Sequence, residues 1–255
     1  MVPVHRISGL AALHDTSNAV VCSIVREQYP IQDDRAHQLH SLRLNKGDGM
    51  PNLKTETERI EARIDRIAGF YDALNNMGEW FFSRQRKEIL RQAEGRILEV
   101  GVGTGNSFKD YPPGKHIVAI DISREMLRRA SEKARNYNGR IELRREDVHR
   151  LSFRSETFDT VFTSLVFCTV TDPIRGLREI RRVLKKDGKL LMLEHVRSKN
   201  GTLGYIMDRI NLFIVKYGID NINRDTVENL RKAGFKMVQD KNLAYDVVKA
   251  IVAVK

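Results

Sequence analysis

The chain has two cysteines in 255 residues, Cys22 and Cys168. Two thiols are too few for a disulfide framework or a structural zinc site, and neither has neighbours at ligand spacing. A reducing, cytoplasmic setting is expected, with no bound metal. Long apolar runs are also missing. No stretch approaches the roughly 20 residues of a membrane span, and the N-terminus lacks a basic segment followed by an apolar one. The expectation is a soluble or peripheral protein. A third absence lies in the glycine-rich stretch, where Arg96 to Val100 opens into Gly101, Gly103 and Gly105. The dinucleotide fingerprint wants glycine at the sixth position, where this chain has Asn106, so a nicotinamide cofactor is disfavoured.

Among the first fifty residues five bases (Arg6, Arg26, Arg35, Arg43, Lys46) are cancelled by five acids (Asp15, Glu27, Asp33, Asp34, Asp48), so the whole formal charge of +11 falls on residues 51–255. A basic body suits an anionic partner, nucleic acid or lipid surface, but charge alone does not choose. Residues 1–50 show no sustained period and close on the turn cluster Asn45 to Gly49. They are expected to be a poorly ordered extension, with the functional protein starting near Met50. From Leu53 to Ala68 apolar residues recur at helical spacing. Acids and bases are nearly balanced on the polar side of this helix, which favours packing on the domain over lying on a membrane. Met77 to Ile89, with Trp80, Phe81 and Phe82, is expected to be helical.

Beyond Gly95 the pattern alternates. Arg96–Val100, His116–Asp121, Ile141–Leu143, Phe158–Thr163 and Lys189–Val196 read as buried strands, with helices between them. One helix is expected after the glycine turn. Another is expected from Asp172-Pro173 through Leu184, stopped by Lys185 to Gly188. Phe235–Val238 and Val247–Val254 are expected to close the sheet as an antiparallel pair. Alternating glycines after the first strand imply that backbone approaches a ligand closely. Glu99, at the inner end of that strand, needs a cationic group or several N–H donors, and a cofactor ammonium would serve. Asp121 ends the second strand beside the glycine turn, where a carboxylate can accept both hydroxyls of a ribose. Ser123 can cap the next helix, which leaves Asp121 for that task.

The Glu-x-Gly-x-Gly-x-Gly motif at Glu99 to Gly105, with Asp121, Asp147-Val148, the Asp172 to Lys185 helix and Leu193-Glu194-His195-Val196, resembles the class I S-adenosylmethionine (SAM) dependent methyltransferases. The resemblance runs from about Tyr71 to the C-terminus. It is most similar to the branch holding ubiquinone/menaquinone methyltransferases and bacterial phosphatidylethanolamine N-methyltransferases. It implies an α/β fold: a seven-stranded, mostly parallel sheet, helices on both faces, and a C-terminal antiparallel hairpin. It implies SAM held at the turn by Glu99, Gly101, Gly103, Thr104 and Gly105. Asp121 and Ile122 would serve the ribose, Asp147 and Val148 the adenine, and Ser164 the end of the fourth strand. Residues 51–95 would cover the site, with Tyr71 over the methionine moiety. Residues 96–255 would form the methyltransferase domain, with a lid inserted at 200–220 (apolar stripe Leu203, Ile206, Met207, Ile210, Ile214, Tyr217). An amine acceptor must lose a proton, for which His195 is the best-placed group, with Tyr71, Tyr205 and Asp208 as alternatives. A strand-end histidine satisfied by backbone is the competing reading of His195. Cys168 is expected to be packing.

Two further absences bear on the acceptor. Enzymes that methylate DNA amino groups carry an Asn/Asp-Pro-Pro-aromatic turn after the fourth strand, where this chain has Ser164-Leu165-Val166-Phe167. Protein arginine methyltransferases use two glutamates there, and no Glu occurs between Thr157 and Arg178. A lipophilic or small acceptor is expected, foremost the amine headgroup of a phospholipid. Quinone C-methylation and small-thiol S-methylation are alternatives, and a SAM-binding sensor without turnover is the alternative of another class. No nucleic-acid partner is expected. An anionic membrane surface is, on the inner face, and the oligomeric state is not legible.

Overall fold

The computed structural model describes residues 79–216 and 223–255, together with Glu58, Glu61, Ala62, Ile64 and Asp65 of an earlier helical stretch. All belong to one unit, Leu53–Lys255. The expected extension 1–50, Tyr71, and the end of the expected lid lie outside the described residues, as do the side chains of residues 212–216.

Seven strands form one sheet: β1 (Arg96–Val100), β2 (His116–Asp121), β3 (Arg140–Arg145), β4 (Phe158–Ser164), β5 (Leu184–His195), β6 (Lys236–Ala244) and β7 (Val248–Val254). Their order is β3-β2-β1-β4-β5-β7-β6. The first five run parallel, and β7 pairs antiparallel with both β5 and β6. Alternate strand residues feed opposite faces, as the pleat requires. Leu98, Val118, Val161 and Leu190 join one core with α3 (Pro173–Val183) and α5 (Thr226–Lys232). Ile97, Ile117, Phe162 and Leu191 join the other with α1 (residues 79–90) and, at Ala130, α2 (Arg124–Ala134). The remaining helix, α4 (Gly201–Lys216), follows β5.

Two expected elements differ. Instead of a helix after the glycine turn there is one 3-10 turn, Phe108–Asp110. The chain has only Asn106 to Asp110 between Gly105 and Tyr111-Pro112-Pro113, and proline cannot continue a helix. The second difference is at the end of α3. Leu184 is not helical; it is the first residue of β5 and pairs with Phe158. The carbonyls of Arg182 and Val183 accept from the N–H groups of Glu156 and Thr157, at 3.0 and 2.7 Å. Lys185 to Gly188 then loop out of the ladder, whose register resumes at Thr160 opposite Lys189.

The starts of three helices have the expected chemistry: a side-chain oxygen accepts an otherwise unsatisfied N–H. Ser123 accepts from Met126, Asp172 from Arg175 and Asp225 from Glu228, at 3.0 to 3.1 Å. On α1, Arg86 is buried and ion-paired to Asp110 of the 3-10 turn at 2.6 Å, and it also meets Glu79. Ser83 donates to the other Asp110 oxygen at 2.6 Å. This pair ties α1 to the connection that follows the glycine turn. The earlier helical stretch docks by its carboxylates, Asp65 accepting from the Ser123 hydroxyl and Glu61 pairing with Arg145 of β3.

Candidate functional site

Because β1 to β5 are parallel, their carboxyl ends share one edge of the sheet. The chain leaves β1 toward β2 on one side, while β4 lies on the other, and ligands of open α/β sheets bind at such a switch point. The glycine turn occupies it. Gly101, Gly103 and Gly105 all have positive φ (+68°, +56° and +81°), a region costly for residues with a Cβ. Their surroundings differ. A Cβ on Gly101 would lie 2.5 Å from Val166 and one on Gly105 2.7 Å from Phe108, whereas one on Gly103 meets nothing within 4 Å. Two of the three glycines therefore make room for the protein itself, and only Gly103 faces open space. Lys133 of α2 donates to the side chains of Thr104 and Asn106 and fixes the far side of the turn.

Glu99 is buried, and Ser107 donates to its Oε1 at 2.5 Å. Its Oε2 is buried with no hydrogen bond of good geometry, and the Tyr111 hydroxyl is the donor beside it. Burial pushes the carboxyl up to about 7, against the hydrogen bonds of Ser107 and Tyr111 and the Arg86 charge. The cationic partner expected from the sequence is not supplied by a side chain. A buried carboxylate met by the neutral hydroxyls of Ser107 and Tyr111, and open space at Gly103, fit a cofactor that carries an ammonium group.

Asp121 is less free than the sequence suggests. Its Oδ2 accepts from Gly103 N–H at 2.8 Å and its Oδ1 from Ser123 N–H at 2.9 Å. Ser123 does cap α2, but its backbone still needs an acceptor, and Asp121 supplies it. The Ile122 N–H is a third backbone donor, and a carboxylate accepts about four, so capacity remains for a hydroxyl. Burial raises the Asp121 pKa, opposed by these three backbone bonds. Ile122 is half-buried, and its carbonyl accepts from Arg145. Asp147 is half-buried after β3, with its pKa lowered chiefly by the hydrogen bond to His149. The ring Nδ1 lies 2.6 Å from Asp147 Oδ1, and Nε2 meets Thr171 Oγ1 and the Asp172 N–H at 3.2 Å each. Val148 is buried in the core against Gly176.

On the other side, β4 ends at Ser164 and the chain turns through Leu165, which has φ +57°. The turn is held by Glu194 of β5, a fully buried carboxylate that accepts from Thr163 Oγ1 (2.9 Å), Val166 N (3.2 Å) and Phe167 N (3.3 Å). Cys168 is buried with Sγ toward the Leu165 carbonyl at 3.5 Å, consistent with packing. His195 ends β5 opposite Val248, its ring edge-on to Phe82 of α1 at 6.2 Å. Of the alternative bases, Asp208 is ion-paired to Arg197 at 2.8 Å, which holds its pKa at about 2, and Tyr205 is exposed on α4. The structure thus brings Glu99, Gly103, Asp121, Ser164 and His195 to one edge of the sheet. His149 and the Arg86–Asp110 pair were not assigned from sequence, and Glu194 was read only as part of the Leu193 to Val196 motif. Each joins residues that are distant in sequence and meet only in the fold.

The strand order, the glycine turn and the acid ending β2 define a Rossmann-like methyltransferase fold. A methyltransferase domain model matches residues 98–192. The chain is 33% identical over 175 residues to a ubiquinone/menaquinone biosynthesis C-methyltransferase of Citrifermentans bemidjiense, covering 64% of this chain and 73% of that one. It is 40% identical over 114 residues to a phosphatidylethanolamine N-methyltransferase of Cereibacter sphaeroides, 44% of this chain and 56% of that one. A solved SAM-dependent methyltransferase from Thermotoga maritima shares the fold with a TM-score of 0.59 at 21% identity, covering 77% of this chain and 99% of that chain. The chain belongs to the SAM-dependent methyltransferases, and its cofactor is SAM.

Proposed function

We propose that the chain methylates the amine headgroup of a phospholipid, working at a lipid surface. The observation that carries this reading is the outer side of α4, where Tyr205, Ile206 and Ile210 are 58, 46 and 47% exposed just after β5 delivers His195. The sequence-based stripe on this helix splits: Met207 packs inward, while Ile206 and Ile210 face solvent. A groove of about 440 Å³ beside it is lined by Asn200, Thr202, Leu203, Ile206, Tyr245 and Asp246. Exposed aliphatic and tyrosine side chains suit an interface in which one end is apolar and the other wet. The likeness to a phosphatidylethanolamine N-methyltransferase supports an amine as the acceptor.

When bound, SAM supplies a methyl group on a positively charged sulfur. Glu99 accepts from its ammonium group, Gly103 admits it to the backbone, and Thr104 and Gly105 shape the turn. Asp121 and Ile122 hold the ribose, Asp147 and Val148 the adenine, and Ser164 borders the acceptor side. Glu194 keeps the Leu165 to Phe167 turn in place, so positioning supplies much of the acceleration. His195 takes the proton that an ammonium acceptor must lose.

The test is to incubate the purified protein with methyl-labelled SAM and separate phospholipid, quinol, thiol and RNA pools. Label is expected in phosphatidylethanolamine derivatives. Label in the isoprenoid quinol fraction would replace this reading with quinone C-methylation, and label in none would favour a sensor.

A further inference from the structure

We propose that Arg224 binds the phosphate of the acceptor headgroup, so that the site selects an amine attached to a phosphodiester. This rests on the phospholipid reading above. Arg224 lies two residues before α5, and its carbonyl accepts from Arg197 N–H at 3.0 Å. It is thereby fixed to the chain just past His195. Arg224 therefore stands beside the exit of β5, on the acceptor side of the sheet edge.

Among the described residues its guanidinium lacks the carboxylate partner that neighbouring charges have. Nε is buried and has no hydrogen-bond partner, and no carboxylate among the described residues pairs with the guanidinium. Burial lowers its pKa. The adjacent Arg197 is different, being neutralised by Asp208 through three hydrogen bonds of 2.8 to 3.2 Å. Asp208 also accepts from Asn223 at 3.0 Å, and Asp225 is engaged as the cap of α5. Arg224 is half-buried, and a partly desolvated guanidinium without an anion carries a cost that an oxyanion would relieve. The planar guanidinium fork matches phosphate oxygens in a bidentate geometry that lysine cannot reproduce. A quinol ring or a simple thiol would leave this cation unanswered.

Binding of soluble probes separates the possibilities. With S-adenosylhomocysteine bound, calorimetry is run with glycerophosphoethanolamine, ethanolamine and inorganic phosphate on wild type, Arg224→Gln and Arg224→Lys. Wild type is expected to prefer glycerophosphoethanolamine to either fragment. Arg224→Gln should bind it at least about tenfold more weakly, with affinity for S-adenosylhomocysteine unchanged. Arg224→Lys should fall between the two, and it carries the test if the Gln variant does not fold. Undiminished binding by the variants would overturn the role of Arg224. Wild type binding inorganic phosphate as tightly as glycerophosphoethanolamine would reduce the site to one for free anions and overturn headgroup recognition. Binding of neither phosphate-bearing probe would overturn the proposal. The labelled-lipid assay independently reports whether phosphatidylethanolamine is the acceptor.

Discussion

At pH 8 the Glu99 carboxylate is ionised in a buried site where the neutral hydroxyls of Ser107 and Tyr111 meet it. Its pKa is raised from 4.5 to about 7 by burial. The unfolded chain releases this proton near its ordinary pKa, while the folded chain keeps it until about 7. Between those values the folded state binds more protons, so stability falls as pH rises, by about 3 kcal/mol, and stays reduced above. Glu99→Gln removes the penalty. Without cofactor, the variant should be more stable than wild type at pH 8 by up to about 3 kcal/mol and similar to it near pH 4, measured by urea unfolding. Its SAM affinity should drop by roughly 1.5 to 3 kcal/mol, as expected when a charged hydrogen bond is lost. A variant no more stable than wild type at pH 8 would show that Glu99 is not strained by burial. The glycines yield a second contrast. Gly101→Ala collides with Val166 and should lose more than about 2 kcal/mol of stability, whereas Gly103→Ala meets only the cost of its positive φ, about 1 kcal/mol. SAM affinity should fall more for Gly103→Val than thermal stability does. Normal binding by Gly103→Val would remove that residue from the cofactor path.

At the scale of elements, strands were the legible part. β2 carries the unbroken apolar run Ile117 to Ile120, and β1 and β4 the shorter runs Ile97-Leu98 and Val161-Phe162, because both faces of a parallel sheet are covered. The α3 to β5 junction was misread because Lys185-Lys186-Asp187-Gly188 has the composition of a helix stop, whereas the decisive fact is that Leu184 is needed opposite Phe158. The helical period of α4 was legible, but not which of its apolar residues faces the protein. That assignment predicts the behaviour of α4 on membranes. Changing Ile206 and Ile210 together to Asp should weaken co-sedimentation with vesicles of phosphatidylcholine and phosphatidylglycerol by at least about tenfold, since each isoleucine withdrawn from lipid forfeits about 1.5 to 3 kcal/mol. Secondary structure should be unchanged, because both positions are exposed. Equal sedimentation of variant and wild type would remove α4 from the lipid contact.

For the whole molecule, sheet topology follows from the sequential α/β pattern, and the cofactor edge follows from topology. The acids on that edge could be named from sequence because each sits at a strand end. Their partners could not. Glu194 meets Val166 N–H across 28 positions, and Arg86 meets Asp110 across 24. The surface charge, +11 over residues 51–255, adds a long-range attraction that salt screens. In the vesicle experiment added salt should therefore weaken binding of wild type and of the α4 variant alike, separating attraction by charge from insertion of the helix.

The His149 ring spans two loops that leave different strands. Because Nε2 accepts the Asp172 N–H, the ring proton belongs on Nδ1, facing Asp147. The imidazole thus works as a latch: held by Asp147 on one side and by the Asp172 N–H on the other, it makes the loop proposed to hold adenine and the segment leading into α3 move as one body.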